Sequence, residues 1–339
     1  MPTIVLTGGG TAGHVTPALA LLPELRKTFD RIVFVGGNGI EKRLAEAHNL
    51  EFYELPVIKF DRSHLLKNAK IPLVLTKGIN AAVKLFKNIQ PDVVFSKGGY
   101  VALPSCFAAA RLKIPLVIHE SDFSLGLANK LSARFATSVI TSFAETEGGK
   151  FIGNPVRREI LRGNKGRASE KYRLNPSKPT LLVFGGSTGA EALNNVVYKG
   201  LNKFTETYNL LHISGKSGDL SKKSSDYHQF EYSDDIADLY AISDFVVCRA
   251  GSNTLSELAC LGKRCIVVPL PKGNSRGDQL DNAVSYKKRG FVEILPQDEL
   301  FVETLLAKLE EIKGKKVPIL DVSEINSRIV EEIRSAAKL

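Results

Sequence analysis

Short runs of consecutive apolar residues recur along the chain and alternate with stretches of helical period. "TIVLT" (3–7), "RIVFVGG" (31–37), "DVVFSKGG" (92–99), "LVIHE" (116–120) and "SVITS" (138–142) lack the polar alternation of a half-exposed strand. Runs of this kind, separated by helices, predict a parallel sheet covered on both faces. The segment 157–179, "RREILRGNKGRASEKYRLNPSKP", has no apolar period and predicts a linker at 159–178. The scheme then restarts with "TLLVFGG" (180–186), "LLHISGK" (210–216), "FVVCRAG" (245–251) and "RCIVVPL" (264–270). The pattern thus predicts an α/β chain of two doubly wound domains, 1–158 and 179–321, facing one another across a cleft. An amphipathic helix over 322–339 would dock back on the body.

Each predicted domain opens the same way. "VLTGGGTAG" (5–13) and "LVFGGSTGA" (182–190) both set a glycine-rich loop between a strand and a helix. Such a loop lets the backbone approach phosphate oxygens, and the helix N-terminus that follows offers unpaired N–H groups. Ligands of open parallel sheets lie beyond the carboxyl ends of the strands. Gly8, Gly10 and Gly13 fit the dinucleotide spacing, but the second strand ends in "RIVFVGGNG" with no acid for a ribose, which disfavours NAD. His14, expected in the first turn of the helix, is a candidate base kept neutral by the dipole; the alternative is a ring that caps the helix or bonds the loop. Glu257 is placed to accept from ribose hydroxyls, and Gln279 and Asn282 to read sugar hydroxyls, or all three are surface groups. "KGGYVALP" (97–104) and "HESDFSLGLANK" (119–130) are further polar loops after strands.

Composition narrows the partners. Among 339 residues, 43% are apolar and 24% charged, and no run of eighteen apolar residues occurs, so a cytoplasmic chain is expected. Cys106, Cys248, Cys260 and Cys265 show no C-x-x-C pairing and read as buried free thiols. The net charge of +10 is uneven: residues 1–160 carry 20 Lys and Arg against 13 Asp and Glu, +7 of the total. That excess suits an anionic partner. Nucleic acid is disfavoured because exposed aromatics are not interleaved with the basic residues. The segment 59–88 instead frames apolar residues with lysines. Within it, Leu65, Leu66, Lys67, Lys70, Ile71, Leu73 and Leu75 form a candidate patch for an anionic leaflet, and Leu75, Ile79, Val83 and Phe86 are expected to face the sheet.

Seven motifs in order, "GGGTAGHVTPALAL", "FSKGGYVALP", "IHESDFSLGLANK", "GNPVR", "FGGSTGA", "CRAGSNTLSE" and "SRGDQLDNA", resemble the MurG family, the N-acetylglucosaminyltransferases of peptidoglycan synthesis, in its Gram-positive branch. The resemblance spans nearly the whole chain. It implies a GT-B fold and inverting transfer of GlcNAc from UDP-GlcNAc to the MurNAc 4-hydroxyl of lipid I, with no cofactor and no metal. It also implies a peripheral place on the cytoplasmic side of the cell membrane and cell-wall synthesis proteins as partners. Matched motif by motif, Ser187 would contact the diphosphate and Arg157 would join the nucleotide site. Ser252, Asn253, Thr254, Leu255, Ser256 and Glu257 would wrap the nucleotide, while Gln279 would read the sugar, with Asn282 beside it. Thr11, Ala12, Gly13 and His14 would face the transferred sugar. Gly98, Gly99, Tyr100, Asp122 and Asn129 would line the acceptor side. Many family members have asparagine where this chain has Asp122, glutamine where it has Asp278, and glutamine where it has Thr188. Asp122 therefore competes with His14 for the role of base. A UDP-sugar transferase with another lipid acceptor and a non-catalytic sugar-nucleotide-binding subunit are the alternative readings.

Overall fold

The computed structural model describes residues 1–59, 65–186, 189–272 and 277–339, with the backbone alone at 65–67. Two compact units divide the chain: 1–157 together with 322–339, and 158–321.

The first unit is built on a seven-stranded parallel sheet. Its strands are β1 (Thr3–Thr7), β2 (Arg31–Gly36), β3 (Glu51–Glu54), β4 (Val93–Ser96), β5 (Leu116–Glu120), β6 (Ser138–Thr141) and β7 (Lys150–Phe151), in the order β3-β2-β1-β4-β5-β6-β7. β1, β4 and β5 are buried at every position, as their unbroken apolar runs require. The helix Ile71–Ile89 packs on this sheet through Gly78, Ala82, Phe86 and Ile89. This shifts the expected core face in part: Phe86 is buried and Val83, half-buried, packs against the same core, but Leu75 and Ile79 are half-buried away from it. Small residues set the shift, because a side chain at Gly78 would meet the Pro56 carbonyl at 2.5 Å. The C-terminal helix Val322–Ala337 also belongs to this unit. Asn326 on it, fully buried, accepts from Val156 N at 3.1 Å and donates to Val156 O at 2.8 Å.

The second unit carries a six-stranded parallel sheet: β8 (Thr180–Phe184), β9 (Asn209–Ile213), β10 (Tyr227–Phe230), β11 (Phe245–Cys248), β12 (Arg264–Val267) and β13 (Glu293–Ile294), ordered β10-β9-β8-β11-β12-β13. The expected linker is part of this unit. Lys165–Tyr172 forms a helix whose Asn164 cap accepts from Arg167 N at 2.9 Å, and Arg167 and Lys171 pair with Asp238 and Asp235. Ile160, Ala168, Tyr172 and Leu174 are buried beneath these charges, too few and too spread to register as a period.

In each sheet the strand order reverses once, between β1 and β4 and between β8 and β11. The carboxyl ends of those four strands carry the glycine-bearing motifs: residues 8–14 and 97–100 in the first unit, 185–190 and 249–252 in the second. A reversal point splays the flanking connections to opposite faces, which leaves a crevice at the strand ends. The four cysteines are buried and free. Among the described residues no helix is long and apolar enough to cross a membrane.

Candidate active site

At the reversal point of the first sheet, glycines let three chain segments close on one another. Gly99, at φ +79°, lies so near the opposite loop that a Cβ would stand 2.5 Å from Gly9 O and 3.2 Å from the His14 ring. A Cβ on Gly9 would strike the Glu41 carboxylate at 2.7 Å, and one on Gly10 would strike the Tyr100 ring at 2.6 Å. Glu41, 2% exposed, accepts from the backbone N–H of Gly37 at 3.1 Å and of Gly10 at 3.3 Å. A carboxylate thus takes the place of a ligand at part of this loop.

His14 ends the single 3-10 turn Ala12–His14, ahead of the four-residue helix Thr16–Leu19. Its Nδ1 lies 3.1 Å from Lys97 O, a carbonyl that can only accept. Nδ1 therefore carries the proton and the Nε2 lone pair is free. The ring titrates below its ordinary value, first because burial disfavours the imidazolium; Glu120 and Asp122 raise it and Lys97 lowers it further. The dipole of a long helix, expected from the sequence, is not the cause, because no long helix follows.

Beneath this loop lies a polar network. Lys97 is 1% exposed, and its Nζ stands 2.6 Å from His119 Nδ1, 2.7 Å from Ser121 Oγ and 3.4 Å from Asn154 Oδ1. His119 donates from Nε2 to Gly153 O at 2.9 Å, which leaves its Nδ1 as an acceptor for Lys97. Burial drives the Lys97 ammonium down to about 7, against the pull of Glu120 and Asp122, and holds His119 well below its ordinary value. Glu120 accepts from Asp122 N at 3.1 Å, Gly126 N at 2.8 Å and Asn129 Nδ2 at 2.8 Å. Asn129, buried, thereby orients Glu120, and its amide fills the space where a Cβ on Gly98 would be. The structure thus brings His14, Gly98, Gly99, Tyr100, Asp122 and Asn129 to one reversal point. Thr11 is exposed there, with Ala12 and Gly13 half-buried. Sequence reasoning quoted the motifs that hold Lys97, His119, Glu120 and Asn154 but assigned these four no role, and it missed Glu41. For Lys97, His119 and Glu120 the signal was a charged or ring residue at the end of a buried strand; Asn154 and Glu41 carried none.

The second reversal point is open at two glycines and closed at two others. A Cβ added at Gly186 or Gly251 would meet nothing within 4 Å, but one on Gly185 would stand 2.3 Å from Ala190 Cβ and one on Gly189 2.4 Å from Ser214 O. Helix Ser252–Cys260 starts after Gly251. Asn253 and Thr254 are half-buried on its first turn, and Ser252 is buried. Leu255 and Ser256 turn inward: Leu255 is fully buried, and Ser256 Oγ bonds Ser252 O and Tyr286 OH, each at 2.8 Å. Glu257 is half-buried and accepts from Tyr240 OH at 3.2 Å. Asn282 is fully buried and donates to Ala250 O at 3.3 Å, so its amide braces the loop and does not reach outward to a sugar. Gln279, half-buried, accepts from Leu270 N at 3.1 Å through Oε1, which orders its amide at the start of the helix Asp278–Lys288. Arg249 ties the ends of β11 and β12 together by donating to Val268 O at 3.0 Å and to Gln297 Oε1 at 2.7 Å. Arg157, half-buried, is the last residue of the first unit's longer segment. Ser187 and Thr188 lie outside the described residues, as do Ser275 and Arg276. Among the described residues no group of three or more His, Cys, Asp or Glu is placed to hold a metal ion.

Of the candidate patch, the backbone of Leu65, Leu66 and Lys67 lies in the 3-10 segment Leu65–Lys70, and their side chains lie outside the description. Lys70 is exposed, Leu73 is 60% exposed, and Ile71 and Leu75 are half-buried.

Residues 4–141 match the glycosyltransferase family 28 N-terminal domain and residues 180–338 the glycosyltransferase family 28 C-terminal domain. Over 335 residues the chain is 42% identical to the UDP-N-acetylglucosamine--N-acetylmuramyl-(pentapeptide) pyrophosphoryl-undecaprenol N-acetylglucosamine transferase of Clostridium botulinum (strain Langeland), covering 96% of this chain and 95% of that protein. The chain belongs to the MurG branch of glycosyltransferase family 28. The Clostridium perfringens protein of the same name is 37% identical over 352 residues, with 99% of each chain covered. MurG of Acinetobacter baumannii has the same fold, with a TM-score of 0.76 at 24% identity over 99% of this chain and 100% of that one. A UDP-GlcNAc 2-epimerase of Neisseria meningitidis, solved with UDP-GlcNAc bound, shares the fold at a TM-score of 0.69 and 14% identity, over 99% and 100% of the two chains. These solved neighbours, with the two parallel sheets, make the architecture GT-B.

Proposed function

We propose that this chain transfers GlcNAc from UDP-GlcNAc to the MurNAc 4-hydroxyl of undecaprenyl-diphospho-MurNAc-pentapeptide (lipid I), forming lipid II with inversion. The observation that carries this reading is the placement of His14 and both glycine-rich loops at the two reversal points, in a chain matched along 96% of its length to transferases named for this reaction. In the first unit, His14 Nε2 takes the 4-hydroxyl proton as that oxygen attacks the anomeric carbon of GlcNAc. The bond from that carbon to the diphosphate breaks, and UDP departs with the bonding pair. Asp122 is the second candidate for the proton. Its backbone N–H bonds Glu120, which sets its carboxylate on the same loop.

In the second unit, the first turn of helix Ser252–Cys260 offers backbone N–H groups to the departing phosphates, and Ser187 of the second glycine-rich motif adds a donor. Glu257 holds the ribose and Gln279 the sugar. Ser256, Leu255 and Asn282 shape this site from within. The lysine-framed segment 64–75 places the enzyme on an anionic cytoplasmic leaflet, where other cell-wall synthesis proteins work. Transfer of labelled GlcNAc from UDP-GlcNAc to a short-chain lipid I analogue tests the assignment. Label in the disaccharide product is expected; donor binding with no transfer to that acceptor would overturn it and favour a different lipid acceptor.

A further inference from the structure

We propose that Lys97 is the positioning residue of the acceptor-side site: its backbone carbonyl holds His14 with Nε2 open, and its buried side chain, seated in a socket of three acceptors, sets a positive charge behind that ring. The inference rests on the reading of His14 as base and extends it to a residue that touches neither substrate.

The geometry around Nζ is that of a socket for an ammonium. An ammonium has three hydrogens, and three acceptors surround this one: His119 Nδ1 at 2.6 Å, Ser121 Oγ at 2.7 Å and Asn154 Oδ1 at 3.4 Å. Each acceptor is itself set for the task. His119 has its Nε2 proton on Gly153 O, so Nδ1 offers a lone pair. Ser121 turns its own proton to Asn154 Oδ1 at 3.0 Å, so its oxygen faces Lys97 as an acceptor. All four side chains are buried, and they come from the ends of β4 and β5 and from the turn after β7. The charged groups that act on Lys97 are Glu120 and Asp122, at the end of β5 and just beyond it; both favour the ammonium. No carboxylate bonds Nζ directly, so the positive charge is held by dipoles and acts on its surroundings.

His14 is one of those surroundings. Its Nδ1–H ends on the Lys97 carbonyl, and, after burial itself, the Lys97 charge opposes protonation of the ring against Glu120, Asp122 and the carbonyl bond, which favour it. Removing the charge and leaving the carbonyl should therefore make His14 easier to protonate. The tuning matches the chemistry, because a base that starts neutral with a free Nε2 is ready for the acceptor proton.

The test is direct titration of His14 by ¹⁵N NMR in the substrate-free full chain, wild type against Lys97→Met and Lys97→Gln, with kcat/KM profiles beside it. Loss of the charge is expected to raise the His14 midpoint by about 1 pH unit in both variants, the scale on which a nearby charge acts. The acidic limb of kcat/KM should follow by the same amount. An unchanged His14 midpoint in a folded variant overturns the proposal. A shifted midpoint with an unmoved rate profile upholds the Lys97–His14 coupling and instead overturns His14 as base. Wild type supplies a check in which folding is not at issue. At pH 6 the Lys97 ¹⁵Nζ signal should be that of an ammonium, and the neutral form of His14 should carry its proton on Nδ1. A neutral amine, or a neutral ring protonated on Nε2, would also overturn the proposal.

Discussion

The two reversal points share one topology and differ in how they are filled. In the first unit the glycines admit the protein's own chain: Gly9 makes room for Glu41, Gly10 for Tyr100, Gly98 for Asn129 and Gly99 for the Gly9 carbonyl. Buried Lys97, His119, Glu120 and Glu41 stand behind them. In the second unit, Gly186 and Gly251 face empty space, and the buried polar groups nearby, Arg249 and Asn282, brace backbone carbonyls. In the first unit the loop after the first strand compresses a charged network around a titratable ring. In the second, Gly185 and Gly189 close that loop on Ala190 and the Ser214 carbonyl, while Gly186 and, after β11, Gly251 are open. Open glycines of that kind suit a phosphate, and the charged network suits a proton.

Alanine at a glycine separates these roles. Gly99→Ala combines a left-handed backbone with a Cβ at 2.5 Å from Gly9 O, so it should lower unfolding free energy by about 2–3 kcal/mol and abolish transfer, as read by denaturant melts and turnover. Next in size is the proposed membrane contact. Reversing Lys67 and Lys70 removes two cations worth about 1 kcal/mol each at an anionic surface, a loss of at least about 30-fold in liposome affinity by sedimentation, with the fold intact by circular dichroism. Unchanged binding would remove the patch from the account. A smaller effect concerns pH. Burial lowers the His14 midpoint below the usual 6.5, so the neutral ring persists into mildly acidic solution. The acidic limb of kcat/KM should accordingly lie below pH 6.5, and a limb above it would contradict the placement. Smallest of all, Gly251→Ala should leave stability within about 0.5 kcal/mol, since its φ of −69° suits any residue and its Cβ meets nothing. Any effect there should appear in the donor dissociation constant. A large stability loss at Gly251 would show that the start of helix Ser252–Cys260 is as closely packed as the first loop.

Much of this arrangement was readable from the sequence, and the gaps have physical causes. All nine strands inferred from apolar runs are present. The four that were not, β3, β7, β10 and β13, are the edge strands of the two sheets. An edge strand is covered on fewer sides, so "EFYE" or "KF" need not be apolar throughout. The segment 159–178 looked like a linker because its four buried residues are separated by arginines and lysines that face solvent or pair with Asp235 and Asp238. The core face of helix Ile71–Ile89 was right at Val83 and Phe86 and misplaced at its start, because Gly78 and Ala82, not the larger Leu75 and Ile79, sit against the body. Motif spacing brought His14, Asp122 and Asn129 to the correct strand ends. It could not reveal that Lys97 is buried, because a lysine after a strand is ordinarily a solvated one. Burial also replaced the helix dipole as the reason His14 stays neutral, and only the shortness of helix Thr16–Leu19 made that visible.

The division of labour is tested most directly by measuring donor affinity and transfer rate together for His14→Ala and Glu257→Ala. Calorimetry would give the UDP-GlcNAc dissociation constant, and labelled GlcNAc transfer to the lipid I analogue would give kcat. His14→Ala is expected to lose about 10²–10⁴-fold in kcat with the donor constant unchanged. Glu257→Ala is expected to weaken donor binding first. If His14→Ala keeps its kcat, the proton belongs to another group, and the charged network at the first reversal point does not explain the chemistry.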